Sequence, residues 1–155
     1  MTGVQTCALP IFGSFAVEMA EGRLPESNED TARFFDALGE IGTRLGSQAC
    51  WVMGVDMAHM GQRYGDEMAA RANEAEMTHV AEMDKARMEK ICASKTGEYW
   101  SVVAEGGDDS LKWCGSAPFY TFLKSAPGLK GNVEHYEQWN IDEASIVSFA
   151  GMTFA

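Results

Sequence analysis

Residues Cys50–Asp66 read CWVMGVDMAHMGQRYGD, and the reading of this stretch decides the fold class. Cys50–Val55 is a continuous apolar run bounded by polar residues. Its length and valine content predict a strand buried on both faces. Upstream, Phe34, Phe35, Leu38, Ile41 and Leu45 recur at the spacing of one helical face. Ser27-x-x-Asp30 has the form of a capping box for that helix, and Gly46 is its stop. A helix running into a buried strand is the α/β pattern.

Working outward, Glu74–Ala93 predicts a second helix with Met77, Val80, Ala81, Met88 and Ile91 on one face. Asp84 falls inside that stripe. It reads either as an edge residue bonded to nearby backbone or as a buried carboxylate that orients a site residue. Glu98–Glu105 and Pro118–Ser125 predict short helices, with Gly106–Ser110 as a loop between them. Val133–Trp139 and Ser145–Phe154 predict strands, and Gly13–Met19 reads as the end of another. Neither an internal repeat nor a linker is visible.

The composition bounds the function. The 155 residues suit one domain with one core. Acids outnumber bases 23 to 12, and the net charge of −11 excludes a bulk electrostatic footprint for nucleic acid or an anionic membrane. No apolar run reaches the ~18 residues of a membrane-spanning helix. Cysteines at 7, 50, 92 and 114 lack the paired spacing of a disulfide framework or zinc finger. An acidic, reduced, cytoplasmic protein is expected. Met1–Ile11, MTGVQTCALPI, matches the translation of a common short-read sequencing adapter. It is therefore read as an assembly artefact and set aside with Cys7, which leaves 12–155 as the C-terminal portion of one α/β domain.

Two places carry candidate chemistry. Asp56-x-x-His59 follows the predicted strand, and ligands of open α/β sheets bind outside the carboxyl ends of strands. An imidazole there acts as a base or metal ligand near neutral pH. The plain alternative is that Asp56 caps the next helix and His59 is an exposed loop residue. Trp113-Cys114-Gly115 enters the Pro118 helix, where the helix dipole and free N–H groups favour a thiolate, either nucleophile or soft metal ligand. Its plain alternative is a small buried hydrophobe. Cys50 and Cys92 are assigned to packing and His79 to solvent, and His135 is unassigned. Met53, Met57 and Met60 bracket His59. Thioethers suit soft metals, but methionine more commonly fills irregular cores.

Val52–Asp66 resembles the (V)xGxDxxHxGxx(F/Y)GD segment of the Memo-like family, called AmmeMemoRadiSam system protein B in bacteria. Lys112–Pro118 is similar to that family's (R/K)xCGxxP motif, and Ile146–Ala150 to its terminal VSFA strand. The resemblance runs in order through 12–155. It implies a LigB-like fold related to class III extradiol dioxygenases: a three-layer α/β/α sandwich with a mixed sheet, here partial and truncated at the N-terminus. It also implies an iron or copper ion held by two histidines and a cysteine. Carried over, Cys114 is a metal ligand, His59 an acid/base residue or further ligand, and Asp56 its orienting partner. The family's Pro-His-Ala-Gly-Tyr-like segment is absent, so the site is expected to be partial. The chain alone is then expected to be poorly soluble and to bind metal weakly. A cysteine in place of the dioxygenase carboxylate argues for iron or copper redox chemistry over ring cleavage.

The leading expectation is thus a redox-metal protein acting on a small aromatic or oxygenated molecule. A non-catalytic module binding a small molecule or peptide is a second reading. A metal-free hydrolase or transferase using Cys114, His59 and Asp56 is a third. The resemblance also implies a functional link to a radical SAM protein and an AMMECR-type protein.

Overall fold

A computed structural model describes residues 14–155. Met1–Ile11, Cys7, Phe12 and Gly13 lie outside them. The chain order is α1 (Ala16–Ala20), α2 (Glu29–Leu45), β1 (His59–Gly61), α3 (Ala75–Cys92), α4 (Thr96–Val103), α5 (Ser116–Ser125), β2 (Gly131–Asp142) and β3 (Ser145–Phe154). The mixture of helices and sheet is that of an α/β fold. Among the described residues no helix is long and apolar enough to cross a membrane.

The sheet is three-stranded and antiparallel, in the order β1-β3-β2, where the resemblance implies a mixed sheet. β2 and β3 form a hairpin whose turn is closed by the Ala144 N–H donating to Asp142 Oδ1 at 2.9 Å. β1 continues backwards along β3: the Met57 N–H donates to the Ser148 carbonyl and the Ser148 N–H to that of Ala58, both at 3.0 Å.

The predicted strand at Cys50–Val55 is absent. Among the described residues no strand pairs with it, and an apolar run becomes a strand only when a neighbour completes its ladder. Burial alternates instead: Trp51, Met53 and Val55 are half-buried, while Val52 and Gly54 are exposed, Val52 by 85%. One face is covered, as in a half-buried extended segment. An apolar groove of about 660 Å³ is lined both by this segment and by Ala150, Met152 and Phe154 of β3, with Phe119 and Phe122 of α5. Cys50, assigned to packing, is exposed, whereas Cys92 is half-buried.

Gly13–Met19 also departs from expectation, because Ala16–Ala20 is helical. Phe15 is anchored by edge contacts with Phe35, Trp100 and Tyr120, each at 6.1 Å between ring centroids. The cap of α2 lies one residue beyond the expected Ser27: Asn28 Oδ1 accepts from the N–H groups of Asp30 and Thr31. Gly46 ends the helix at φ 52°.

The buried face of α2 is not the predicted one. Phe35 is buried, but Phe34, Ile41 and Leu45 are more than 40% exposed. The packed face follows Phe35, Gly39 and Gly42. A Cβ on Gly39 would lie 3.1 Å from the Ser125 carbonyl oxygen, and one on Gly42 would lie 2.9 Å from the Trp51 ring. Glycines on this face let α5 and Trp51 approach the helix closely, and the larger apolar residues fall on the other side. Helices α3, α4 and α5 match their expected positions, and they share a core with Ile146 of β3 that includes Met88, Ile91, Tyr99, Val103 and Leu123.

Candidate metal centre

His59 opens β1 and is held from both sides. Its N–H donates to the Leu111 carbonyl at 2.9 Å. Its Nδ1 lies 2.9 Å from the Lys112 carbonyl oxygen. A carbonyl has no proton to give, so Nδ1 carries the hydrogen and donates it, leaving the Nε2 lone pair free in the neutral ring. Nε2 faces Asp56 Oδ2 at 3.7 Å. The Tyr64 ring stands edge-on to the imidazole at 4.9 Å and limits its rotation.

Lys112 adopts a left-handed backbone, φ 54°, which is uncommon for a residue with a Cβ. Its Nζ reaches Asp66 Oδ1 at 2.5 Å, and Asp66 Oδ2 accepts the Gly61 N–H at 2.7 Å. The loop after β1 is thereby tied to the loop before α5. Burial works to raise the Asp66 pKa, but the hydrogen bonds from Lys112 and Gly61 outweigh it and hold the carboxyl below its ordinary value.

Cys114 comes from the other side, 58 residues from Asp56 in sequence. Its Sγ accepts the Asp56 N–H at 3.1 Å and donates its own proton to the Asp56 carbonyl at 3.3 Å. The Gly115 N–H donates to the same carbonyl at 3.2 Å. Gly115 is needed here for space, since a Cβ would lie 2.9 Å from Val55 Cγ2 and 3.2 Å from the Asp56 oxygen. The ligating atoms of Asp56, His59 and Cys114 all lie within 4.8 Å of one another. The structure therefore brings the three sequence-predicted site residues together.

Two features bear on the nucleophile reading of Cys114. Cys114 is exposed and sits just before α5, yet partial burial of its thiol pushes the pKa up, outweighing the Asp56 backbone hydrogen bond that acts to lower it. This works against the thiolate expected from the helix N-terminus. A nucleophilic triad would place the imidazole between thiol and carboxylate, one nitrogen towards each. Here Nδ1 is committed to a carbonyl and the Cys114 proton to backbone. The hydrogen bonds of these three residues thus do not run as a thiol–imidazole–carboxylate relay.

Donors of this kind fit a transition metal. Thiolate and imidazole suit iron, copper or zinc, and the carboxylate adds a harder oxygen. His79 and His135 are exposed and lie beside Glu82 and Glu137, away from this cluster. Met57 is buried in the core, with Met53 and Met60 packed against it, so the methionines serve packing.

Sequence reasoning passed over Lys112, Tyr64 and Ser148 as site residues. Lys112 lay in the motif that pointed to Cys114, but it acts through its backbone carbonyl, a role that residue type does not announce. Asp84 is fully buried, so it is a buried carboxylate and not a residue at the exposed edge of the stripe. Burial raises its carboxyl pKa against hydrogen bonds from Ser148, Tyr136 and Trp113 and the charge of Arg87.

No curated protein matches the chain closely enough to lend it a function. A family model described as Memo-like protein matches residues 24–153, a span that includes Asp56, His59 and Cys114. Since that span is most of the sequence, the chain belongs to the Memo-like protein family.

Proposed function

We propose that the chain carries a transition-metal centre in which Cys114 Sγ and His59 Nε2 are ligands and Asp56 is a third ligand or the orienting partner of His59. The observation that carries this reading is the convergence of the three donor atoms within 4.8 Å. The fixed Nδ1–H tautomer supports it, because a donated Nδ1 proton presents Nε2 for coordination. With Asp56 as the third ligand, one position of a four-coordinate site is left for substrate or a further ligand.

Iron or copper, when bound, would supply one-electron redox chemistry. The protein's own part is to hold the imidazole by Lys112 and Tyr64 and to release the Cys114 proton as the thiolate forms. Thiolate ligation favours redox work on a small molecule over the ring cleavage of carboxylate-ligated dioxygenases. A reduced, cytoplasmic setting suits an exposed thiolate ligand, and partnership with a radical SAM protein and an AMMECR-type protein is part of the same proposal.

Metal analysis of the purified chain tests it. Iron or copper added to the chain should bind, weakly as expected of a partial site, and Cys114→Ala and His59→Ala should each abolish that binding; unchanged binding in both variants would overturn the assignment. The groove lined by Trp51, Phe119 and Phe154 supports a second reading, a site for a small apolar ligand without turnover. Ligand binding that is equal in wild type and Cys114→Ala would favour it.

A further inference from the structure

The fully buried Asp84 on α3 is not among the three donors, yet both halves of the cluster lead back to it. Its Oδ1 accepts from Trp113 Nε1 at 2.7 Å, and Trp113 immediately precedes Cys114. Its Oδ2 accepts from Ser148 Oγ at 2.6 Å, and Ser148 Oγ accepts the Ala58 N–H at 2.8 Å. Ala58 immediately precedes His59. The Tyr136 hydroxyl also donates to Oδ2, at 2.7 Å.

One carboxylate thus uses one oxygen for the Cys114 segment and the other for the His59 segment. Neither segment needs this arrangement for its own secondary structure. The β1–β3 pairing is made by backbone groups, and Trp113 lies in a loop before α5. Arg87, one turn along α3, closes the arrangement. Its guanidinium lies 5.3 Å from the Trp113 ring centroid and pairs with Asp109 at 2.8 Å. Asp109 in turn accepts from the Leu111 N–H at 3.1 Å and from Ser116 Oγ at 2.5 Å. The loop bearing Cys114 is held at both ends by α3.

We propose that Asp84 is the positioning residue of the site: it sets the separation of Cys114 Sγ and His59 Nε2 by anchoring Trp113 directly and Ala58 through Ser148. This deepens the metal-centre reading and rests on it for its first readout. A purely structural carboxylate would change how much protein is folded. A positioning carboxylate changes the quality of the site in protein that is folded.

The test titrates the full chain and its Asp84→Asn, Trp113→Phe and Ser148→Ala variants with Co(II), following the thiolate-to-cobalt absorption. Each variant should bind Co(II) about 10–100-fold more weakly, the range for lost outer contacts to metal ligands. Each should also show an altered thiolate band at saturation. Trp113→Phe and Ser148→Ala, added to Asp84→Asn, should cost less than the product of their separate effects, because all three break one network. Wild-type affinity and spectrum in folded variants, or strictly multiplicative effects, would overturn the proposal. If Asp84→Asn does not fold, the two partner variants decide.

A wild-type chain that shows no cobalt–thiolate absorption would defeat the metal reading and not this one. The judgement then passes to hydrogen exchange without metal. The amides of His59 and Gly115 should exchange faster in each variant while those of α2 keep their wild-type rates. Unchanged exchange at both amides would refute the positioning role.

Discussion

Replacing Gly61 by alanine should strike the fold and the site together. Gly61 ends β1 at φ 105° and ψ −174°, a region open essentially to glycine alone. Forcing a Cβ into it costs about 1–3 kcal/mol. The added Cβ would also lie 2.2 Å from the Ala144 carbonyl oxygen and 2.7 Å from Ser145 Cα. Both are backbone atoms where the β2–β3 turn enters β3, so no side-chain rotation relieves the clash. Overpacking of this kind adds about 1–3 kcal/mol, for a total of about 2–6 kcal/mol. Against the 5–15 kcal/mol or so of an ordinary domain, that is a large share.

Gly22→Ala is the control. Gly22 also has a positive φ, 64°, but nothing lies within 4 Å of its would-be Cβ, so it should lose only the left-handed penalty of about 1–2 kcal/mol. Urea unfolding followed by tryptophan fluorescence gives both values, and equal slopes ensure that midpoints compare stability. The excess loss in Gly61→Ala measures the clash together with the difference between the two backbone penalties. A loss equal to that of Gly22→Ala within about 0.5 kcal/mol, the scatter of ordinary surface substitutions, would show that β3 does not press on Gly61 as described.

Two further predictions concern titration. With Cys7, Cys50 and Cys92 replaced by serine, alkylation of Cys114 should be slow at neutral pH and still accelerating above pH 9.0, because partial burial raises this thiol above its ordinary value; a rate that levels off near neutral pH would support the nucleophile reading. For Glu26, burial acts to raise the pKa but is outweighed by hydrogen bonds from Tyr120 and Lys124, so the folded value lies below 4.5. Its stabilising contribution is present above pH 4.5 and is lost as pH falls through the folded value. Glu26→Gln should therefore flatten the acid limb of the stability curve, and identical limbs in both proteins would refute the coupling.

Much of this was legible in the residues. Helices α3, α4 and α5 and the strands β2 and β3 announced themselves because their local pattern reports a choice of backbone; that the two strands pair as a hairpin came from the structure. The site was legible in part. Asp56 and His59 are three residues apart and suggest a pair by spacing alone. That Cys114 joins them does not follow from spacing; it came from the resemblance of the surrounding motifs.

The failures have a common cause. The apolar run at Cys50–Val55 satisfies every local condition for a strand, but a strand is a pairing, and among the described residues no neighbour supplies one. In α2 the large apolar residues marked one face while two glycines fixed another, because close approach depends on what a neighbouring element presents. The capping residue moved from Ser27 to Asn28 for want of a side-chain geometry that sequence does not carry.

The sequence by itself determined the α/β class, the two C-terminal strands and the family, and it named Asp56, His59 and Cys114 as candidates, since each is a matter of local pattern, residue type or motif. Only the tertiary structure decided that His59 is fixed through a left-handed Lys112, that the Cys114 proton is held by backbone, and that one buried carboxylate links both sides of the site. Those are distances between residues remote in the chain, and a distance of this kind is set by packing, on which the order of residues is silent.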